Sequence, residues 1–152
     1  TNKDKFEGNV AFKDSLMFLR EQFEISRFLE NEGLAYDYKN GSHIHITKAG
    51  HGKSIEDGLE VTMSYKAYFT SGTKFDDTDE WKDTLKFIYG VPFQIILGLE
   101  ISLEGLKSGT EAKLIIPSQL AFGKDGSSSG IVPPFEPIIY EIKILSVIEL
   151  ES

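Results

Sequence analysis

From Leu59 to Phe69 the sequence alternates without a break: Val61, Met63, Tyr65, Ala67 and Phe69 fall on one side of an extended chain, and Thr62, Ser64 and Lys66 on the other. A strand this long with one dry face needs neighbours along its edges and an apolar layer beneath it, so the pattern requires a sheet. Other runs supply the neighbours. Ile44 and Ile46 alternate with His43, His45 and Thr47; Leu85, Phe87 and Tyr89 alternate up to Gly90; Ala112 to Ile116 and Ile138 to Leu145 complete the set. Gly50-His51-Gly52 reads as a turn, and Thr70-Ser71-Gly72 turns the chain after the long strand.

Two stretches carry the helical period instead. Between Val10 and Glu32 there is no Gly or Pro, and Phe12, Leu16, Leu19 and Phe23 recur at steps of four, three and four. Ile25, Phe28 and Leu29 continue the apolar face out of phase, which implies a bend near Phe23, and Gly33 follows as a C-cap. That stripe needs a partner surface. Between Gly98 and Gly109, Leu99, Leu103 and Leu106 outline a shorter helix of about three turns. The expected fold is α+β, an antiparallel β-sheet wrapped around one short α-helix, with an extra N-terminal α-helix. A polar break from Asp37 to Ser42 separates an N-terminal extension, residues 1–40, from a main domain, residues 41–152.

Composition removes several function classes. Sixteen Lys plus Arg against 24 Asp plus Glu leave a net charge of -8, the wrong sign for neutralising phosphates or lying on an anionic membrane, so nucleic acid is not an expected partner. The absence of cysteine excludes disulfide scaffolds, thiolate nucleophiles and cysteine metal sites. No apolar run approaches the roughly 20 residues of a membrane span. The first residues, Thr1 to Lys5, are not a signal peptide and include no initiator Met, which leaves two readings open: an arbitrary boundary, or a mature chain whose export signal is gone.

Several chemical motifs fail on inspection. His43 and His45 project to one side of a strand as a two-ligand metal edge would, but only His51 remains to complete a shell, so a solvated strand face is expected and no metal. Counted from Asp76, the run Asp76-Asp77-Thr78-Asp79-Glu80 places Trp81 and Phe87 where a calcium loop needs Gly and Glu, and it reads as a solvated turn. Gly126-Ser127-Ser128-Ser129-Gly130 has the letters of a nucleophile elbow, yet Ile131-Val132-Pro133-Pro134 cannot continue as a helix and no His follows His51.

What remains is one acidic residue among aromatics, Phe75-Asp76, shortly after the strand that carries Tyr65. At these residues the chain resembles the FKBP-type peptidyl-prolyl isomerases, the macrolide-binding immunophilins. Val61-Thr62-Met63-Ser64-Tyr65 with Gly72-Thr73-Lys74-Phe75-Asp76 is one matching block, followed by Ile95-Ile96-Leu97-Gly98-Leu99-Glu100 and Leu106-Lys107-Ser108-Gly109-Thr110-Glu111-Ala112-Lys113-Leu114. Ile116-Pro117-Ser118-Gln119-Leu120-Ala121-Phe122-Gly123, Ile131-Val132-Pro133-Pro134 and Tyr140-Glu141-Ile142-Lys143-Ile144 complete the series. Each block alone is weak; their order and spacing over residues 42–150 make the resemblance specific.

The resemblance implies an FKBP-like fold and a prolyl pocket. Its catalytic residues would be Asp76, Tyr65 and Phe75, and its substrate-binding residues Leu85, Ile95, Ile96, Leu99, Phe122 and Tyr140. The Ile96 N–H would bind a substrate carbonyl, and Leu99 would form the floor under the prolyl ring. The plainer role for Asp76 is an Asx-turn residue after Phe75. The implied activity is peptidyl-prolyl cis-trans isomerisation of unfolded or newly exported polypeptides. The extension resembles that of exported bacterial members, some of them envelope lipoproteins and some dimeric through it. This implies a periplasmic or envelope-anchored location and leaves a monomer and a homodimer through the N-terminal helix both open.

Rotation about an X-Pro bond faces a barrier of about 18–20 kcal/mol because the amide must leave planarity. The twisted amide loses resonance and with it polarity, so a dry aromatic cavity destabilises the planar form more than the twisted one. No nucleophile, metal or cofactor is required. Three positions depart from the family: Leu99 stands where Trp is usual, Phe122 where Tyr is usual, and Leu85 where an aromatic is usual. They imply reduced activity and weaker macrolide binding. A second reading follows from them, a non-catalytic FKBP-like peptide-binding or chaperone module with a degenerate pocket.

Overall fold

The computed structural model describes residues 2–151, with side-chain surroundings from residue 11 onward. An N-terminal helix α1 (Asn2–Glu32) is followed by strands β1 (Asp37–Lys39), β2 (Ser42–Lys48), β3 (Glu60–Phe69) and β4 (Lys74–Asp77). Then come a one-turn helix α2 (Thr78–Trp81), β5 (Leu85–Ile88), helix α3 (Leu97–Leu103), β6 (Glu111–Ile116) and β7 (Ile138–Ile148), with 3-10 turns at Ser118–Leu120 and Gly123–Asp125. The strands form one sheet in the order β1-β2-β6-β7-β3-β4, every pair antiparallel. β3 pairs along its whole length with β7, and its other edge is shared by β5 against Glu60–Met63 and β4 against Lys66–Tyr68.

The alternation in β3 does what its period requires. Val61, Met63 and Ala67 are sealed on one face, together with Leu114 of β6, Ile142 and Ile144 of β7, and Leu99 and Leu103 of α3. This is the antiparallel sheet around one short helix that the sequence predicts. α3 is shorter than its leucine spacing suggests. Gly105 turns the chain at φ +76°, and the Leu106 N–H returns to the Leu103 carbonyl, so Leu106 reaches the core from a turn outside the helix.

Three short elements were invisible to periodicity. The polar break is a hairpin: Lys39 pairs with Ser42 across Asn40-Gly41, both at positive φ, the type I′ geometry that this dipeptide favours. The acidic run is strand and helix rather than a solvated turn. Asp77, itself buried, has extended backbone and accepts the Asp79 N–H at 2.9 Å, the N-cap that starts α2. Elements of four residues cannot carry a recognisable period.

α1 lies against the other face of the sheet, where Ile25 packs with Ile115 and Ile139, joined by Phe28, Leu29, Tyr36 and Tyr68. Glu32 pairs with Lys113, whose ammonium sits over the Phe28 ring. The apolar stripe therefore divides: Ile25, Phe28 and Leu29 dock, whereas Phe12, Leu16, Leu19 and Phe23 remain exposed, Phe23 by 68%. The change of phase marks two faces of one continuous helix, one docked and one exposed. The histidines are also less solvated than expected. His43 lies edge-on to Tyr38, His45 shares a 2.7 Å hydrogen bond with the Ala35 carbonyl, and among the described residues no cluster could hold a metal.

Candidate active site

β3 and β4 set the centre of the site. Their register pairs Ala67 with Asp76 and then slips, so that Tyr68 pairs with Lys74 and Phe75 is the extra residue of a bulge. A bulge re-aims the side chain it carries. Phe75 stacks on Phe69, ring centroids 4.5 Å apart and planes 11° from parallel.

The Asp76 carboxylate accepts three hydrogen bonds: from the Tyr65 hydroxyl at 2.6 Å, from the Trp81 indole N–H at 2.9 Å, and from the Asp77 backbone N–H at 2.9 Å. None of these donors is a cation. Tyr65 is itself held edge-on between Trp81 and Tyr140, at centroid distances of 5.6 and 5.3 Å. Burial, then the bond to Asp76, pushes the Tyr65 phenol well above its ordinary range, and burial with the nearby Asp76 charge does the same to Tyr140. Tyr65 therefore stays a hydrogen-bond donor through neutral and mildly alkaline pH. The turn-capping role considered for Asp76 falls to its neighbour Asp77.

α3 and the residue before it carry two more of the expected residues, Ile96 and Leu99. Ile96 precedes it with extended backbone, and its carbonyl accepts from the N–H groups of Leu99 and Glu100, while among the described residues its own N–H has no acceptor. Leu99 is buried in the core. Gly98 allows the close approach: a Cβ there would collide with the Ile116 side chain and press on the Leu120 carbonyl. Phe122 sits between the two 3-10 turns, partly buried.

Among the residues singled out in the sequence, direct contacts join Tyr65 to Asp76 and to Tyr140. Tyr65, Phe75, Leu85, Ile95, Ile96 and Phe122 pack, partly buried, against one apolar cluster that includes Leu99 and Tyr140, and Asp76 is tied to it through Tyr65. The residue that sequence reasoning missed is Trp81. It is the only Trp of the chain, five positions after Asp76, and that spacing was the available signal; a one-turn helix turns it back onto the carboxylate.

The sequence pattern of the FKBP-type peptidyl-prolyl cis-trans isomerases matches residues 52–145. This chain is a member of that family. An FK506-binding protein of Neisseria meningitidis is 35% identical over 109 residues, 72% of this chain and 98% of the relative. The FKBP-type peptidyl-prolyl cis-trans isomerase FkpA of Escherichia coli is 29% identical over 122 residues, 80% of this chain and 43% of FkpA. The crystal structure of FkpA superposes on 97% of this chain and 70% of its own length with a TM-score of 0.72 at 23% identity, so the likeness of fold includes α1. The span that matches the family begins at residue 52, so α1 lies outside it.

Proposed function

We propose that this FKBP isomerises X-Pro bonds of unfolded or newly exported polypeptides at the site around Asp76. The observation that carries this reading is the uncharged cage of donors on the Asp76 carboxylate, set in an aromatic and aliphatic wall. Three donors hold this carboxylate in one position, where it acts on a bound amide through its fixed field and hydrogen bonds. In the proposed complex the prolyl ring rests on Leu99 between Phe75, Leu85, Ile95, Phe122 and Tyr140, and the Ile96 N–H receives the substrate carbonyl. Asp76, steadied by Tyr65 and Trp81, faces the amide as it leaves planarity. The wall withdraws the polar planar amide from water, and the twisted amide, having lost resonance, suffers less from that withdrawal.

Leu99 and Phe122 make the floor smaller and remove a phenol, so both turnover and macrolide affinity are expected to be modest. The division into an extension through residue 40 and a domain from residue 41, export to a bacterial envelope, and pairing of two copies through Phe12, Leu16, Leu19 and Phe23 belong to the same proposal. The exposed apolar face of α1 supports the pairing, and the likeness to FkpA supports the location.

The test is a protease-coupled assay on a proline-containing tetrapeptide with the wild-type chain and Asp76→Ala. Catalysis by the wild type and a clear fall in the variant, with its melting unchanged, is the expected result. Equal rates would remove Asp76 from the site, and a wild-type rate no higher than background would leave a peptide-binding module in place of an enzyme.

A further inference from the structure

The most deeply buried carboxylate among the described residues lies outside the site, on α1. Glu21 is 2% exposed, and its two oxygens accept from the two donors of one residue, the Ser118 backbone N–H and the Ser118 hydroxyl, each at 2.6 Å. A residue needed only to dock α1 would be apolar, as Ile25 is one turn later, because withdrawing a carboxylate from water is costly unless its lone pairs are satisfied. Here it is satisfied by groups that could not otherwise be. Ser118 is 3% exposed and opens a 3-10 turn, where the first N–H has no partner within the turn.

That turn leads straight to the site. The Leu120 N–H bonds to Pro117 and the Ala121 N–H to Ser118; the Leu120 carbonyl lies against Gly98 at the start of α3, and Phe122 follows. The far end of the same connection returns to the same stretch of α1, where Met17, Arg20, Glu21 and Glu24 enclose a small hollow with Pro133, Pro134, Phe135 and Glu136. One stretch of α1 therefore grips both ends of the segment that joins β6 to β7 and carries Phe122.

We propose that Glu21 is a positioning residue for the isomerase site: its double hydrogen bond to Ser118 fixes the segment bearing Phe122, so that the extension forms part of the substrate-binding wall. The proposal rests on the isomerase reading for its kinetic arm only. A positioning role at the substrate wall acts on binding, so its signature is in KM.

The full chain is compared with Glu21→Ala, Glu21→Gln and Ser118→Ala in the tetrapeptide assay, with amide hydrogen exchange at residues 118–123 measured in parallel. Glu21→Ala leaves a buried N–H unpaired and is expected to lower kcat/KM about tenfold, mainly through KM. Glu21→Gln should recover most of that loss, because its carbonyl accepts the backbone N–H while its amide donates to the Ser118 oxygen. Ser118→Ala, which keeps the backbone bond, should fall between them. Exchange at residues 118–123 should accelerate in Glu21→Ala and far less in Glu21→Gln. A Glu21→Ala protein with a lower melting temperature but unchanged KM and unchanged exchange at 118–123 would overturn the proposal, as would Glu21→Gln behaving like Glu21→Ala. If the wild type shows no turnover, the isomerase reading falls by itself and the exchange measurement still decides whether Glu21 orders the segment.

Discussion

The two faces of the sheet are built differently. On the α3 face, Val61, Met63, Leu103, Leu114 and Ile142 interlock with almost no exposure, and apolar packing alone dictates where each element lies. On the α1 face the buried apolar cluster among the described residues is small, Ile25, Ile115 and Ile139, and polar ties add to it: Glu32 to Lys113, and the buried Glu21 to Ser118. Apolar contacts set how strongly surfaces adhere, whereas directional bonds set their register. The α3 face is thus held by a broad apolar core, while α1 is placed by a small apolar patch and a few specific partners.

That contrast can be broken by mutation. Leu103→Ala on the α3 face should have the largest effect, a loss near the upper end of the roughly 2–5 kcal/mol typical for such core truncations, read from denaturant unfolding. Ile25→Ala should cost less, about 2 kcal/mol or below, because α1 can settle onto a small patch. Equal losses would mean that the two faces form a single cooperative core. Within the site, Trp81→Phe keeps the ring against Tyr65 but removes the N–H from Asp76, and kcat/KM should fall about three- to tenfold with little change in melting temperature. The smallest effect concerns the start of α2. The Lys74 ammonium beside Asp77 holds its carboxyl below the usual range, so its contribution to stability is present above the unfolded-state value of 3.8 and is lost as pH falls through the lower folded value. Wild type and Asp77→Asn should thus differ in melting temperature at neutral pH and converge in strong acid. A difference that persists there would assign the effect to hydrogen bonding alone.

The legible parts of the chain were those with a period. β3, β7 and the main helices announce themselves because many side chains repeat one choice between core and solvent. The site was legible only through its resemblance to a family, since Phe75, Asp76 and Ile96 lie in bulges, turns and caps where no repeat exists. Trp81 escaped because four residues of α2 are too few to reveal which way a side chain turns. The division of α1 into docked and exposed faces was written in the change of phase after Phe23, but a helical wheel cannot say which of two apolar stripes meets the sheet. Glu21 looked like any other charged residue of a helix, because the partner that justifies its burial is 97 positions away.

The position of β7 in the sheet has a consequence for how the molecule comes into being. The last strand in sequence lies in the interior, between β6 on one side and β3 on the other. Until residues 138–148 have emerged during synthesis, the two halves of the sheet have no bridge, and β3 exposes an unpaired edge along its full length. Closure of the sheet therefore waits on residues 138–148, and a nascent form released before they emerge would carry that open edge into solution.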